Sequence, residues 1–153
     1  MILGVRMTKL LTRALCTLLI AGFAMPSWAE QFVRMKDIEL HYSAFNSTFI
    51  APEIARDLKL KRNPNVALIN ISALDLYSVG KKPTQVALKG TAKNLVGNTR
   101  TLEFREITQG EAIYYLAELP ITENETYRFE IKADAGSKGS GILRFNQTFH
   151  IQE

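Results

Sequence analysis

One cysteine, Cys16, one tryptophan, Trp28, and two histidines, His41 and His150, occur in 153 residues. A single thiol excludes an internal disulfide framework and a cysteine-built metal cluster. Two imidazoles leave few bases for acid–base or nucleophilic catalysis. The glycines show no spacing of a nucleophile elbow or a dinucleotide turn. Their densest run, Gly136-Ser137-Lys138-Gly139-Ser140-Gly141, lies between two strand-like segments rather than between strand and helix, and reads as a hairpin loop. Glu123 and Glu125, and Glu103 beside Arg105, fall on polar faces, so no carboxylate pair stands out as an acid/base couple. Internal repeats, low-complexity tracts and linkers are absent from the sequence. No catalytic, cofactor-binding or resident metal-binding set is assigned.

What is present first is an export segment. Arg6, Lys9 and Arg13 precede an apolar run from Ala14 to Met25, and Pro26-Ser27-Trp28-Ala29 closes it with small residues where a signal peptidase needs them. Met7 is an alternative start, because Met7 to Ala29 alone makes a complete signal. The run is too short to cross a hydrocarbon core that needs roughly 20 residues, so no stable anchor is expected after cleavage behind Ala29. Cys16 lies early in the run and follows Arg13-Ala14-Leu15, which does not suit lipidation. Cleavage removes three of the 19 basic residues and none of the 15 acidic ones, so 16 basic residues face 15 acidic ones in residues 30–153. The sequence pI of about 9.3 thus belongs largely to the leader. It gives no support for a nucleic-acid or anionic-lipid partner. An exported chain left without cysteine fits a bacterial periplasm, where the Asn-x-Ser/Thr sequons at Asn46, Asn70, Asn124 and Asn146 carry no weight.

Residues 30–153 form one expected domain, long enough for a core of its own. Period two dominates it. Val86, Leu88 and Ala92 alternate with Gln85, Lys89, Thr91 and Lys93, and Leu102 and Phe104 alternate with Thr101, Glu103 and Arg105. Tyr127, Phe129, Ile131 and Ala133 alternate with Arg128, Glu130, Lys132 and Asp134. Leu143, Phe145, Phe149 and Ile151 alternate with Arg144, Asn146, Thr148 and His150. Val66 to Leu76 and Ala112 to Leu119 are apolar on both faces and are expected to lie centrally. Ile38 to Ala44 is expected to pair with Gln31 to Met35 across Lys36-Asp37. Turn signals recur at Gly80 to Pro83, Gly97-Asn98, Gln109-Gly110, Pro120 to Asn124 and Gly136 to Gly141. The pattern predicts an all-β sandwich of seven to eight mainly antiparallel strands, with a closed barrel as the rival. One short helix is expected near 52–58, where Pro52 and Glu53 suit a helix start and Ile54 stacks on Leu58.

Candidate contact residues cluster in His41-Tyr42-Ser43-Ala44-Phe45-Asn46-Ser47-Thr48-Phe49-Ile50-Ala51-Pro52. Aromatics mixed with small polar groups give contact area and adaptable hydrogen bonds, although such a loop also serves simply to close a sandwich. His41, Tyr42, Phe45, Asn46 and Phe49 are its candidate partner-binding residues. Tyr114 and Tyr115 point to opposite faces, so one of them is available outside. His41 and His150 sit near opposite ends of the domain, and in a sandwich whose first and last strands are neighbours they form a candidate metal pair with Glu39 or Gln152. Lys59, Lys61 and Arg62 lack interleaved aromatics and read as a solvated loop rather than a nucleic-acid site.

The segments HYSAFNSTFIAPEIA (41–55), GTAKNLVGN (90–98), AIYYLAELP (112–120) and FNQTF (145–149) resemble a family of small exported proteobacterial proteins catalogued as a domain of unknown function. The resemblance implies a periplasmic, immunoglobulin-like β-sandwich and transfers no catalytic residue. The expected function is a non-enzymatic binding or accessory module that contacts a protein or envelope component, with no nucleic-acid partner. The alternative is a small-ligand or metal-binding protein using His41 and His150.

Overall fold

The computed structural model describes residues 31–151. The expected signal segment with Cys16, and Gln152, lie outside the described residues. Among the described residues nine strands form, more than the seven to eight expected: β1 (Phe32–Met35), β2 (Ile38–Asn46), β3 (Val66–Asp75), β4 (Ala87–Asn94), β5 (Thr99–Leu102), β6 (Arg105–Gln109), β7 (Ala112–Pro120), β8 (Glu125–Asp134) and β9 (Ser140–Phe149). Among the described residues one α-helix, α1 (Pro52–Asp57), lies in the long connection between β2 and β3. Every strand pairing is antiparallel. The strands make two separate sheets, a five-stranded one in the order β1-β2-β3-β7-β6 and a four-stranded one in the order β5-β4-β8-β9. This is the sandwich, not the closed barrel.

Alternation explains the assembly. On β8, Tyr127, Phe129, Ile131 and Ala133 are buried between exposed Arg128, Glu130, Lys132 and Asp134. They meet Ile38, Leu40, Ile69, Ile71 and Ala73 of the facing sheet in one core that runs from Met35 to Phe149. Phe129 stacks on Phe145 at 4.6 Å, and Phe145 lies 4.7 Å from Tyr42, so rings bridge the two sheets. Burying each of these large side chains contributes on the order of 2 kcal/mol. β3 occupies the middle of its sheet and is also buried on its second face at Leu68. Ala55 of α1 and Leu116 of β7 are buried as well, outside the main core, and Leu116 shares the outer face with Leu68.

The single strand expected over Thr101 to Arg105 is instead two. The chain leaves the four-stranded sheet after Leu102 and joins the other at Arg105, while Leu102 and Phe104 both keep their packing against the core. The alternation therefore persists through the crossing. The strand expected to reach Ile151 ends at Phe149. Among the described residues no helix is long and apolar enough to cross a membrane.

Candidate functional site

The outer face of the five-stranded sheet divides into two halves. The lower half lies where the 47–65 connection is fastened. Asn46 Nδ2 donates to the Pro64 carbonyl at 2.6 Å, Ser47 Oγ donates to the Asn63 carbonyl at 2.9 Å, and Asn63 N–H returns to Ser47 Oγ at 2.9 Å. Arg105 reaches the Leu58 carbonyl at 2.6 Å, and Glu118 accepts from Lys61 N–H at 2.6 Å. Helix α1 ends in a Schellman arrangement: Leu60 N–H bonds the Ala55 carbonyl at 2.8 Å, Lys59 N–H bonds the Arg56 carbonyl at 3.1 Å, and Lys59 takes a φ of 52°.

The upper half carries a cross-sheet row of Phe32, His41, Ser72, Tyr114 and Ile107. Phe32 pairs with His41, His41 with Ser72, and Ile107 with Tyr114. Ser72 and Tyr114 sit one residue beyond the paired Ile71 and Tyr115. Phe32 is 43% and Tyr114 37% exposed. The Phe32 and His41 rings lie 5.5 Å apart, with the Arg34 guanidinium 5.9 Å from the Phe32 centroid.

Beside this row, Glu39 is buried on a strand position that alternation assigns to the polar face. His41 Nε2 donates to its Oε1 at 3.0 Å, Arg34 Nε donates to Oε2 at 3.2 Å, and Lys81 Nζ lies 3.3 Å from both oxygens. Burial alone would raise the Glu39 carboxyl, but the hydrogen bonds from His41, Lys81 and Arg34 outweigh it and hold it below the usual carboxylate range. Asn70, between Ser43 and Leu116 on the same face, has a buried Oδ1 with no donor among the described residues.

The candidates from sequence separate cleanly. His41 and Tyr114 share the row, and Phe49 is 64% exposed in the 47–65 connection. Phe45 is half-buried beside Leu68. Asn46 and Tyr115 are buried and held by the fold, and Tyr42 is half-buried with its ring turned to the core. Tyr42 packs on Phe145, Asn46 holds the loop, and the Tyr115 hydroxyl accepts from Val86 N–H and donates to Glu106, each at 3.0 Å. His150 lies past β9 at the edge of the other sheet, where its Nδ1 is 2.7 Å from Asn124 Oδ1 and 3.8 Å from Glu123 Oε1. The two histidines thus have separate partners, and no group of three metal-ligating side chains forms among the described residues. Sequence reading missed Phe32, Ser72 and Ile107, whose place in the row follows from strand register. It also missed the ion partners of Glu39.

The profile of a family described as a domain of unknown function, DUF4426, matches residues 32–152. The chain belongs to the DUF4426 family. A crystal structure of a DUF4426 protein from Pseudomonas aeruginosa is similar to it at 34% identity and a TM-score of 0.71, covering 83% of this chain and 99% of that one. A copper-bound variant of FetP from uropathogenic Escherichia coli shares 14% identity with a TM-score of 0.54, over 79% of this chain and 95% of that one, a likeness of fold alone. No curated protein matches the chain. The DUF4426 domain therefore takes its β-sandwich from its family.

Proposed function

We propose that this DUF4426 domain is a non-enzymatic accessory module of the bacterial periplasm that engages a protein or other envelope component through the upper outer face of its five-stranded sheet. The observation that carries the reading is the row Phe32–His41–Ser72–Tyr114–Ile107: partly exposed rings and small polar groups side by side on a rigid sheet. Such a surface gives contact area without ordering a loop, and a Tyr on it offers a hydroxyl at its rim. The signal-like pattern read in the first 29 residues supports the location.

The copper of FetP belongs to that protein. In this chain Glu39, the carboxylate beside His41, is already bonded to Arg34 and Lys81, and His150 is engaged with Asn124, so these residues do not fit a shared metal centre.

The test is cross-linking in living cells with the protein carrying Phe32→Ser and Tyr114→Ser together. Both side chains stand on the outer face, outside the main core, so the double variant is expected to fold with a melting temperature lowered by several degrees while a cross-linked species seen with the unaltered protein is lost. An unchanged cross-linking pattern from a folded double variant overturns the reading.

A further inference from the structure

Leu95 and Val96 are 81% and 82% exposed at the tip of the hairpin joining β4 to β5. The turn does not need them. Gly97 N–H bonds the Asn94 carbonyl at 3.1 Å, Asn94 N–H bonds the Asn98 carbonyl at 3.0 Å, and Asn98 N–H bonds Asn94 Oδ1 at 2.8 Å, with Gly97 at a φ of 97°. Asn94 and Gly97 thus close the loop, and the two positions between them accept most residues, polar ones above all. Two adjacent aliphatic side chains held in water there have no role in the fold.

Behind the tip, the outer face of the four-stranded sheet is cationic. Lys93 stands directly opposite Arg128, and Lys89 directly opposite Lys132, all four exposed. Like charges facing each other across strands destabilise a sheet. Among the described residues no carboxylate forms an ion pair with any of these four. Glu130, which sits between the two like-charged pairs, is bonded instead to Arg144 at 2.9 Å. The near-neutral balance of residues 30–153 conceals this, because charge on one face is not set by the total. Lys93 and Arg128 also line, with residues 94–97, a shallow cleft of about 310 Å³ at the base of the tip.

We propose that this end of the sandwich docks on an anionic lipid surface, with Leu95 and Val96 entering the acyl boundary and Lys93 and Arg128 receiving headgroup phosphates. An aliphatic tip that protrudes beside unpaired cations suits the interface between headgroups and chains. The face carries no aromatic ring for stacking bases, which argues against a nucleic acid. The contact is reversible and differs from a membrane anchor. It lies on the other sheet from the Phe32–Tyr114 row and does not rest on that reading.

The experiment is vesicle flotation of residues 30–153. This stretch carries the whole buried core, and its relative crystallised as a chain matched over 99% of its length by 83% of this one. Partition onto phosphatidylglycerol–phosphatidylcholine vesicles at low salt is expected to exceed partition onto phosphatidylcholine alone by about tenfold or more, and to weaken as salt rises. Lys93→Gln with Arg128→Gln should cut the partition about thirtyfold, yet hold or raise the melting temperature because a like-charge pair is relieved. Leu95→Ser with Val96→Ser should cut it about tenfold with the melting temperature unchanged. Equal partition onto both vesicle types overturns the proposal. So does full binding by either folded double variant, or complete displacement by soluble glycerophosphoglycerol, which would mark a small phosphate site instead.

Discussion

Glu39 projects from β2 into a position nearly sealed from water, and Lys81 must cross from the β3–β4 connection to reach it. Its carboxyl is held below the usual range, so its folded pKa lies under the unfolded one. The stability it contributes is complete above the unfolded value near 4.5 and is lost as pH falls through the folded value. Glu39→Gln is expected to lower the melting temperature at neutral pH by about 5 °C and to flatten its decline on acidification, as read by calorimetry between neutral pH and pH 3. An acid profile as steep as that of the unaltered protein would show that the ion partners contribute nothing. The environment of Glu39 could not be read from sequence, because alternation assigns it to the polar side of β2. Its burial depends on a lysine 42 residues further on. Tyr114 and Tyr115 show what was legible and what was not: period two placed them on opposite faces, while only the packing says that Tyr115 is the inner one.

At the scale of elements, the β8–β9 hairpin is locked to the β1–β2 turn. Asp37 N–H bonds the Lys138 carbonyl at 2.9 Å and Lys36 Nζ donates to the Ser137 carbonyl at 2.7 Å, while Lys138 Nζ pairs with Asp75 at the end of β3 at 2.9 Å. Gly139 sits at a φ of 134°, and a methyl group there would overlap the Met35 carbonyl oxygen and Lys36 Cβ. Gly139→Ala is therefore expected to cost about 2 kcal/mol or more in chemical denaturation, combining backbone strain with a clash against main chain. Gly136→Ala, which meets open space at a φ of 62°, should cost only about 1 kcal/mol. Equal costs would remove the clash as an explanation. Strands whose pattern ended at a glycine or proline were legible in the sequence, as was the helix at Pro52. The division between β5 and β6 was not, because Leu102 and Phe104 face the same interior on both sides of the crossing and no turn residue separates them.

For the whole molecule, the open end of the core is closed by Tyr127 and Glu125. Glu125 accepts from Tyr127 at 2.5 Å, from Asn94 at 2.6 Å and from Thr122, tying β4, β8 and the β7–β8 connection together. Burial first, and then the bond to Glu125, push the Tyr127 phenol up to about 12. A phenol raised above its ordinary value stabilises the fold fully below pH 10, and that contribution is lost as pH rises through about 12. Ultraviolet titration is expected to show Tyr127 ionising with the global unfolding transition in alkali, and Tyr127→Phe to shift that transition upward in pH. Ionisation of all five tyrosines near pH 10, with the fold intact, would contradict this.

The strand order also bears on how the chain is made. β3, at the centre of its sheet, has β2 on one side and β7 on the other, and β7 lies some forty residues later in the chain, beyond both β4–β5 and β6. A polypeptide delivered N-terminus first, from a ribosome or through a translocation pore, therefore presents one edge of β3, with its unpaired N–H and C=O groups, bare until Pro120 has emerged. The β7-side edge of β3 closes when the seventh strand arrives, while its apolar inner face of Ile69, Ile71 and Ala73 stays bare until β8 follows, which makes vectorial delivery the stage at which this domain most needs a chaperone.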